Sequence, residues 1–379
     1  MTARDYFSKT YAAARARFIA MASAAGGTID EINLDEMDPD GSPLAIEIAW
    51  FGAEHPERVL IHSSGIHGVE GFAGSAVQLA LLDTPFDIPQ DAALVMVHCL
   101  NPYGMAWLRR VNEHNVDLNR NFILDAEQRS GAADAYRALD SLLNPKQLGA
   151  GPDLFYARAL QSILKYGMPA LRQAVAEGQY EYPKGLFYGG REFEQGPLLY
   201  LGWLSLRLKS VRRVIALDVH TGLGKWGDEA LYLRTGRDTG EEAAQLGKDL
   251  GRKLLTDAAS HGAYEIRGML SDLFGMLQPS PDWSFILQEF GTYPALRVIN
   301  SLRLENYWHL HQKVGIDHWS KQHLKRMLFP EDTTWRSPSR ETHEDSFAGT
   351  QGQGKPEALV LLNSSPVTRQ RKQDVQVKR

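Results

Sequence analysis

Thiol chemistry is almost missing from this chain: 379 residues contain one cysteine, Cys99, set inside the apolar run 92–100. No intrachain disulfide can form, and a single cysteine with apolar neighbours reads as a core residue. Also absent is any uninterrupted apolar stretch of the ~18 residues that suggest a membrane span. The opening residues, Met1-Thr2-Ala3-Arg4-Asp5-Tyr6, lack the long apolar segment of a secretory signal. The expectation is a cytoplasmic protein with no membrane partner. A large excess of charge of one sign is missing as well. The formal charge is −5 and no long basic stripe precedes the last dozen residues, which argues against nucleic acid as a partner. A Gly-rich nucleotide loop and internal repeats are both missing. What is present is an ordinary globular composition, 43% hydrophobic, long enough for one large domain or two smaller ones.

Apolar periodicity places the elements. Residues 6–24 read as an Ala-rich helix stopped by Gly26-Gly27. Strands are expected at 44–51, 59–61 and 93–100, with a helix over 71–82 and a turn at Asn101-Pro102-Tyr103-Gly104. Residues 126–180 read as mostly helical, with breaks near Asn144-Pro145 and 149–152. The near-continuous apolar run 211–219, ending at His220, and the run 283–290, ending at Gly291, read as strands buried on both faces. Helices are expected over 241–255 and 294–314, the latter with Pro294 near its first turn. Strands alternating with helices imply an α/β fold: a mixed, largely parallel central sheet flanked by helices. Residues 1–334 form the expected folded unit. From about Trp335 polar residues dominate, and 335–379 read as a weakly ordered tail whose basic end is solvated charge.

The chemistry concentrates where strands end. His67-Gly68-Val69-Glu70 follows the apolar run 58–64, at a strand-to-helix junction. A histidine and a glutamate three apart there can aim a nitrogen and an oxygen at one point, as the ligands of a hydrolytic zinc ion do. Alone the quartet is weak, since chance gives about 0.7 such matches in a chain of this composition. Gly65 and Gly68 suit a tight turn around it. Three further segments join it: 101–122, containing Asn101-Pro102-Tyr103-Gly104, Arg110-Val111-Asn112 and Asp117-Leu118-Asn119-Arg120-Asn121; Leu217-Asp218-Val219-His220-Thr221-Gly222; and Leu287-Gln288-Glu289-Phe290-Gly291.

Taken in this order, H-x-x-E, N-P-x-G, R-x-N, D-x-N-R-N, a strand-terminal His and a strand-terminal Glu, the chain resembles the M14-type zinc metallocarboxypeptidases over roughly residues 40–315. Within them it is similar to the bacterial DUF2817 branch. The resemblance implies a zinc carboxypeptidase-like fold, of the phosphorylase/hydrolase-like kind, over residues 1–334. It also implies one zinc ion held by His67, Glu70 and His220, an open donor set suited to activating water. Glu289 corresponds to the catalytic glutamate that relays the proton. Arg110 matches the arginine that steadies the oxyanion; Arg109 competes for that role, and the R-x-N spacing favours Arg110. Asn119 and Arg120 match the pair that holds the substrate's terminal carboxylate. Asp117 is implied as the carboxylate that orients His67.

The implied activity is hydrolysis of an amide bond beside a free carboxylate, with a peptide as substrate. A second reading keeps the zinc and makes the substrate an N-acyl amino acid, as in deacylases of the aspartoacylase and succinylglutamate desuccinylase type. A third is a non-catalytic binding protein on the same scaffold; the assignable positions are all intact, which argues against it. The substrate-covering tyrosine of such carboxypeptidases has two rivals here, Tyr264 and Tyr188. Thr221-Gly222-Leu223-Gly224 departs from the digestive enzymes, so the side-chain pocket does not transfer.

Overall fold

Four apolar strands that run the same way form the centre of the molecule. The computed structural model describes residues 3–148, 153–236, 239–256, 266–336 and Leu361. In chain order the strands are β1 (Thr28–Met37), β2 (Pro43–Gly52), β3 (Arg58–Ser64), β4 (Ala92–Val97), β5 (Arg213–Thr221), β6 (Glu229–Thr235), β7 (Leu255–Thr256) and β8 (Asp282–Phe290). They make one sheet of order β1-β2-β4-β3-β5-β8-β6-β7. The neighbours β4-β3-β5-β8 are mutually parallel, while β2 and β6 flank them antiparallel. The expected mixed, largely parallel sheet is therefore present.

Helices cover both faces, which is why β3, β4 and β5 read as unbroken apolar runs rather than alternating ones. Helices α1 (Tyr11–Ala24), α2 (Gly71–Leu82) and α3 (Pro102–Ala106) precede a helical insertion of α4 (Asp134–Leu143), α5 (Phe155–Tyr166) and α6 (Met168–Ala176). Then come α7 (Gln195–Arg207), α8 (Thr239–Leu250), α9 (Leu273–Met276), α10 (Ala295–Gln312), α11 (Trp319–Leu328) and α12 (Thr333–Arg336). On one face Phe18, Phe72, Leu302 and Leu324 pack with Leu60, Leu217 and Ile286 of the sheet. On the other, Tyr200, Leu204 and Phe274 pack with Ile61, Ala216 and Phe285. Each such side chain contributes about 1.5–3 kcal/mol on full burial.

Most expected boundaries shift by a few residues. The strand expected at 211–219 starts at Arg213 and runs through His220 to Thr221. The one expected at 93–100 covers Ala92–Val97, and Cys99 is buried just beyond it. The helix expected over 241–255 ends at Leu250, because Gly251 turns left-handed at φ +65° and Leu255–Thr256 join the sheet. The segment 126–180 is helical as expected, in three pieces. Strands β1, β6 and β7 and helices α7, α9, α11 and α12 are additions. β1 is an edge strand, half-buried or exposed along its length, with Asp30 meeting Trp203 of α7 on one face and Glu31 meeting Arg15 of α1 on the other, so the apolar pattern is weak. The tail expected over 335–379 lies outside the described residues except for Trp335, Arg336 and Leu361; Trp335 and Leu361 are buried. No helix among the described residues is long and apolar enough to cross a membrane.

Candidate active site

The parallel strands bring the singled-out residues to one edge. His67 and Glu70 follow the carboxyl end of β3, His220 lies at the end of β5, and Glu289 stands beside it in register at the end of β8. The loop carrying Arg110, Asp117, Asn119 and Arg120 leaves the end of β4. Ligands of open α/β sheets bind at this edge.

The turn after β3 is built by close backbone approach. Gly65 takes φ +69°, which favours glycine. At Gly68 a Cβ would lie 2.1 Å from the carbonyl carbon of Gly104. The N-P-x-G motif supplies that partner: Asn101 caps α3 by accepting from Gly104 N at 2.8 Å, with Pro102 at the first helical position. The amides of Gly68 and Val69 then donate to the carbonyls of Arg110 and Arg109, at 3.1 and 2.9 Å.

His67, Glu70 and His220 converge, with one candidate donor atom from each within 4.8 Å of the others, and all three are buried. His67 Nδ1 lies 3.1 Å from Glu70 Oε1, and His220 Nδ1 lies 3.4 Å from Glu70 Oε2. Bonds of ~2.0–2.1 Å at tetrahedral angles place donors roughly 3.3 Å apart, so the set fits a small divalent cation. His67 Nδ1 is also buried without a hydrogen-bond partner. Each ring has a carboxylate at its far nitrogen. His67 Nε2 is 3.1 Å from Asp117 Oδ1, and His220 Nε2 is 2.7 Å from Asp218 Oδ2. A proton on His220 Nε2 leaves its Nδ1 lone pair facing Glu70, as a metal needs; His67 Nε2 has both the Asp117 carboxylate and the Arg110 guanidinium beside it, and its Nδ1 also faces Glu70. The Asp218 contact is close but off the ring's N–H axis, so it acts as an ion pair. Ser63 Oγ donates to Asp218 Oδ1 at 2.6 Å, and Thr221 N to Glu70 Oε2 at 3.0 Å.

The electrostatics follow from burying so many charges together. Burial opposes ionisation of Glu70, but His67, His220 and Arg110 outweigh it and hold its pKa far below the usual range. Burial likewise lowers His220, yet Asp218 and Glu70 lift it to about 10, so this pocket favours positive charge. Glu289 goes the other way: burial and the Glu70 charge outweigh His220 and raise it to about 7. A divalent cation at the three donors would draw it back down. Glu289 Oε1 accepts from Leu223 N at 2.8 Å.

Arg110 reaches across the ligands. Its Nε donates to Asp117 Oδ2 and its Nη1 to Glu70 Oε1, both at 3.1 Å, and its Nη2 lies 2.7 Å from His67 Nε2. The Phe187 ring covers its guanidinium at 5.6 Å. Asp117 accepts from Asn119 N at 3.1 Å and so shapes the turn that presents Asn119 and Arg120. Asn119 Oδ1 is anchored by Leu270 N at 2.9 Å. Arg120 is buried, with Nη1 on the Asn119 carbonyl and no hydrogen-bond partner at Nε. Tyr188 is buried in the core and holds Asp117 N through its carbonyl at 2.7 Å. Its rival Tyr264 lies outside the described residues.

Three contributors escaped the sequence reading. Asp218 and Ser63 support His220, and the available signal was alternation, since Asp218 precedes His220 by two on one strand and shares its face. Phe187 sits at φ +59°, strained for an aromatic residue, and no local motif marks it. A second donor group, Glu113, His114 and Glu194, is satisfied internally: Glu194 Oε2 takes Asn112 Nδ2 at 2.8 Å and His114 Nδ1 at 2.7 Å, and the His114 side chain is exposed.

Among solved structures, a candidate metallopeptidase from Shewanella amazonensis SB2B is 14% identical, with 84% of this chain and 94% of that one aligned and a TM-score of 0.42. Carboxypeptidase A from Helicoverpa armigera is 13% identical, over 84% of this chain and 72% of that one, with a TM-score of 0.43. The murein-tripeptide amidase MpaA from Escherichia coli O157 is 17% identical, over 75% and 93%, with a TM-score of 0.34. No curated protein matches the chain. A profile of the family described as a protein of unknown function, DUF2817, matches residues 7–339. That span takes in all eight strands and each residue of the site, and the chain belongs to the DUF2817 family.

Proposed function

We propose that the chain is a zinc-dependent hydrolase that cleaves an amide bond next to a free carboxylate, in the manner of a metallocarboxypeptidase. The observation that carries this reading is the convergence of His67, Glu70 and His220 beside Glu289 at one edge of the parallel sheet. Zinc held by these three ligands supplies a Lewis acid that lowers the pKa of water towards neutrality. Glu289, with one carboxylate oxygen pinned by Leu223 N, takes the proton of the attacking water and returns it to the leaving amine nitrogen. Arg110 places a fixed cation where the scissile carbonyl gathers negative charge. Asn119 and Arg120 hold the substrate's carboxylate; the Arg120 Nε without a partner offers a donor for it. Asp117 and Asp218 flank the far nitrogens of the two imidazoles and orient the rings towards the metal position.

The test is a paired assay: release of C-terminal amino acids from N-blocked peptides, and deacylation of N-acyl amino acids, each with and without chelator and with zinc added back. Activity on peptides that chelator removes and zinc restores is the expected result. Glu289→Gln should lower kcat by about 10²–10⁴-fold while zinc stays bound. Activity confined to N-acyl amino acids would replace the peptidase reading with the deacylase one. A purified protein that takes up no zinc would end both.

A further inference from the structure

Arg109 is fully buried, yet it touches none of the three candidate ligands. Its side chain points away from the site, into the seam between the 107–117 loop and α10. Nε donates to Glu305 Oε1 at 3.0 Å; Nη2 donates to Asn306 Oδ1 at 2.9 Å and Asn115 Oδ1 at 3.0 Å. Lys321 of α11 shares Glu305 Oε1. Burial pushes the Glu305 carboxyl up, and Arg109 and Lys321 outweigh it and hold it below the usual carboxylate range.

We propose that Arg109 is a positioning residue for Arg110 and for the turn that carries His67 and Glu70. This rests on the hydrolase reading above. Three paths lead from its guanidinium to the site. The first is the backbone: the carbonyls of Arg109 and Arg110 take the amides of Val69 and Gly68, so anchoring Arg109 to α10 fixes the rung on which the ligand turn rests. The second is the loop itself. Asn115 closes the 109–117 loop onto Arg109, and Asp117, two residues on, meets both His67 and Arg110. The third is the cover of Arg110. Asn115 Nδ2 donates to Pro183 O and Gly185 O, at 3.0 and 3.1 Å, and Asn306 Nδ2 donates to Lys184 O at 2.9 Å. Segment 183–185 leads directly to Phe187, which stacks on Arg110. One planar fork thus holds both the backbone beneath Arg110 and the ring above it. A lysine ammonium is a point charge and cannot reproduce that fork.

The experiment compares Arg109→Lys and Asn306→Ala with the wild-type full chain. Thermal melting, zinc affinity by competition with a chromogenic chelator, and kcat and KM on the peptide substrate are all measured. Asn306→Ala removes one anchor and strands no buried charge, so it decides the matter if Arg109→Lys does not fold. The expected result is kcat lower by about 10–100-fold for Arg109→Lys, and by about 3-fold for Asn306→Ala, with KM changing less than kcat, because the network supports the ligand turn and Arg110 but reaches the carboxylate-binding Asn119 and Arg120 only through Asp117. Zinc affinity should fall with kcat. A folded Arg109→Lys with wild-type kcat and zinc affinity overturns the proposal, as does a rise in KM at unchanged kcat. If the wild-type protein itself hydrolyses nothing, the hydrolase reading fails separately. Zinc affinity then decides: about tenfold weaker binding by Arg109→Lys supports the positioning role, and equal binding overturns it.

Discussion

Asp218 offers a perturbation that leaves all three proposed zinc ligands in place. It is fully buried, with Oδ2 2.7 Å from His220 Nε2 and Oδ1 accepting Ser63 Oγ at 2.6 Å. Two replacements separate its charge from its shape. Asp218→Asn keeps the volume and can turn its amide oxygen to His220 and its NH₂ to Ser63, whose hydroxyl then accepts instead of donating, so the charge goes while an oxygen stays beside the imidazole. Partners of this kind typically contribute 10–100-fold to metal affinity, about 1.4–2.7 kcal/mol. Asp218→Asn belongs at the lower end, near tenfold. Asp218→Leu leaves a buried hydroxyl without its acceptor, at a cost of about 1–3 kcal/mol, and removes the buried counter-charge beside the His220 ring. It should reach the upper end, near 100-fold, and melt at lower temperature. The assay is zinc competition against a chromogenic chelator at fixed pH, with thermal melts of the same samples. Equal zinc affinity in wild type and both variants, with His220→Ala losing zinc, would refute the role given to Asp218. A fall of equal size in both variants would refute the division between charge and shape.

Two further outcomes follow from the backbone and the core. Gly68→Ala must displace Gly104, whose carbonyl carbon would lie 2.1 Å from the new Cβ; a loss of about 1–3 kcal/mol together with weaker zinc binding is expected, and a wild-type melt would show that no close approach exists. Burial holds His62 near pKa 4 against 6.5 in the unfolded chain, despite the pull of Asp218. Between those values the unfolded chain takes up the proton first, so this group's contribution is complete above pH 6.5 and is lost as pH falls to 4, about 3 kcal/mol in all. Urea unfolding of wild type and His62→Gln at pH 7 and pH 4.5 measures it, and identical acid losses in the two proteins would refute the assignment.

The sequence revealed those parts of the site where one rule governs both pattern and placement. β3, β5 and β8 are largely apolar because both faces are covered, and polar residues gather towards their carboxyl ends, at the ligand edge; reading His67, His220 and Glu289 there needs only the strand and its direction. Asp218 was quoted but given no role, because attention to strand ends passes over a residue two positions earlier, even though alternation puts it on the same face. β1 escaped because an edge strand that is half-buried or exposed along its length carries charges on both faces and shows little apolar pattern. Segment 101–122 divides into two kinds of position. Asn101, Asn112 and Asn121 bind backbone and shape the loop, whereas Arg110 and Asp117 face His67; both kinds are polar and equally prominent in the sequence, so spacing alone cannot sort them.

The pair Arg109-Arg110 shows where local reading stops. Both are arginines in one loop, and the R-x-N spacing favoured Arg110, which does lie against His67 and Glu70. What sends Arg109 the other way is Glu305, 196 residues further along the chain. No feature of residues 101–122 encodes that partner, because it depends on α10 docking against the loop. A buried arginine is tolerated only where acceptors meet its donors, and α10 supplies two of them. The direction in which Arg109 points is therefore set by the packing of an element that carries none of the proposed zinc ligands.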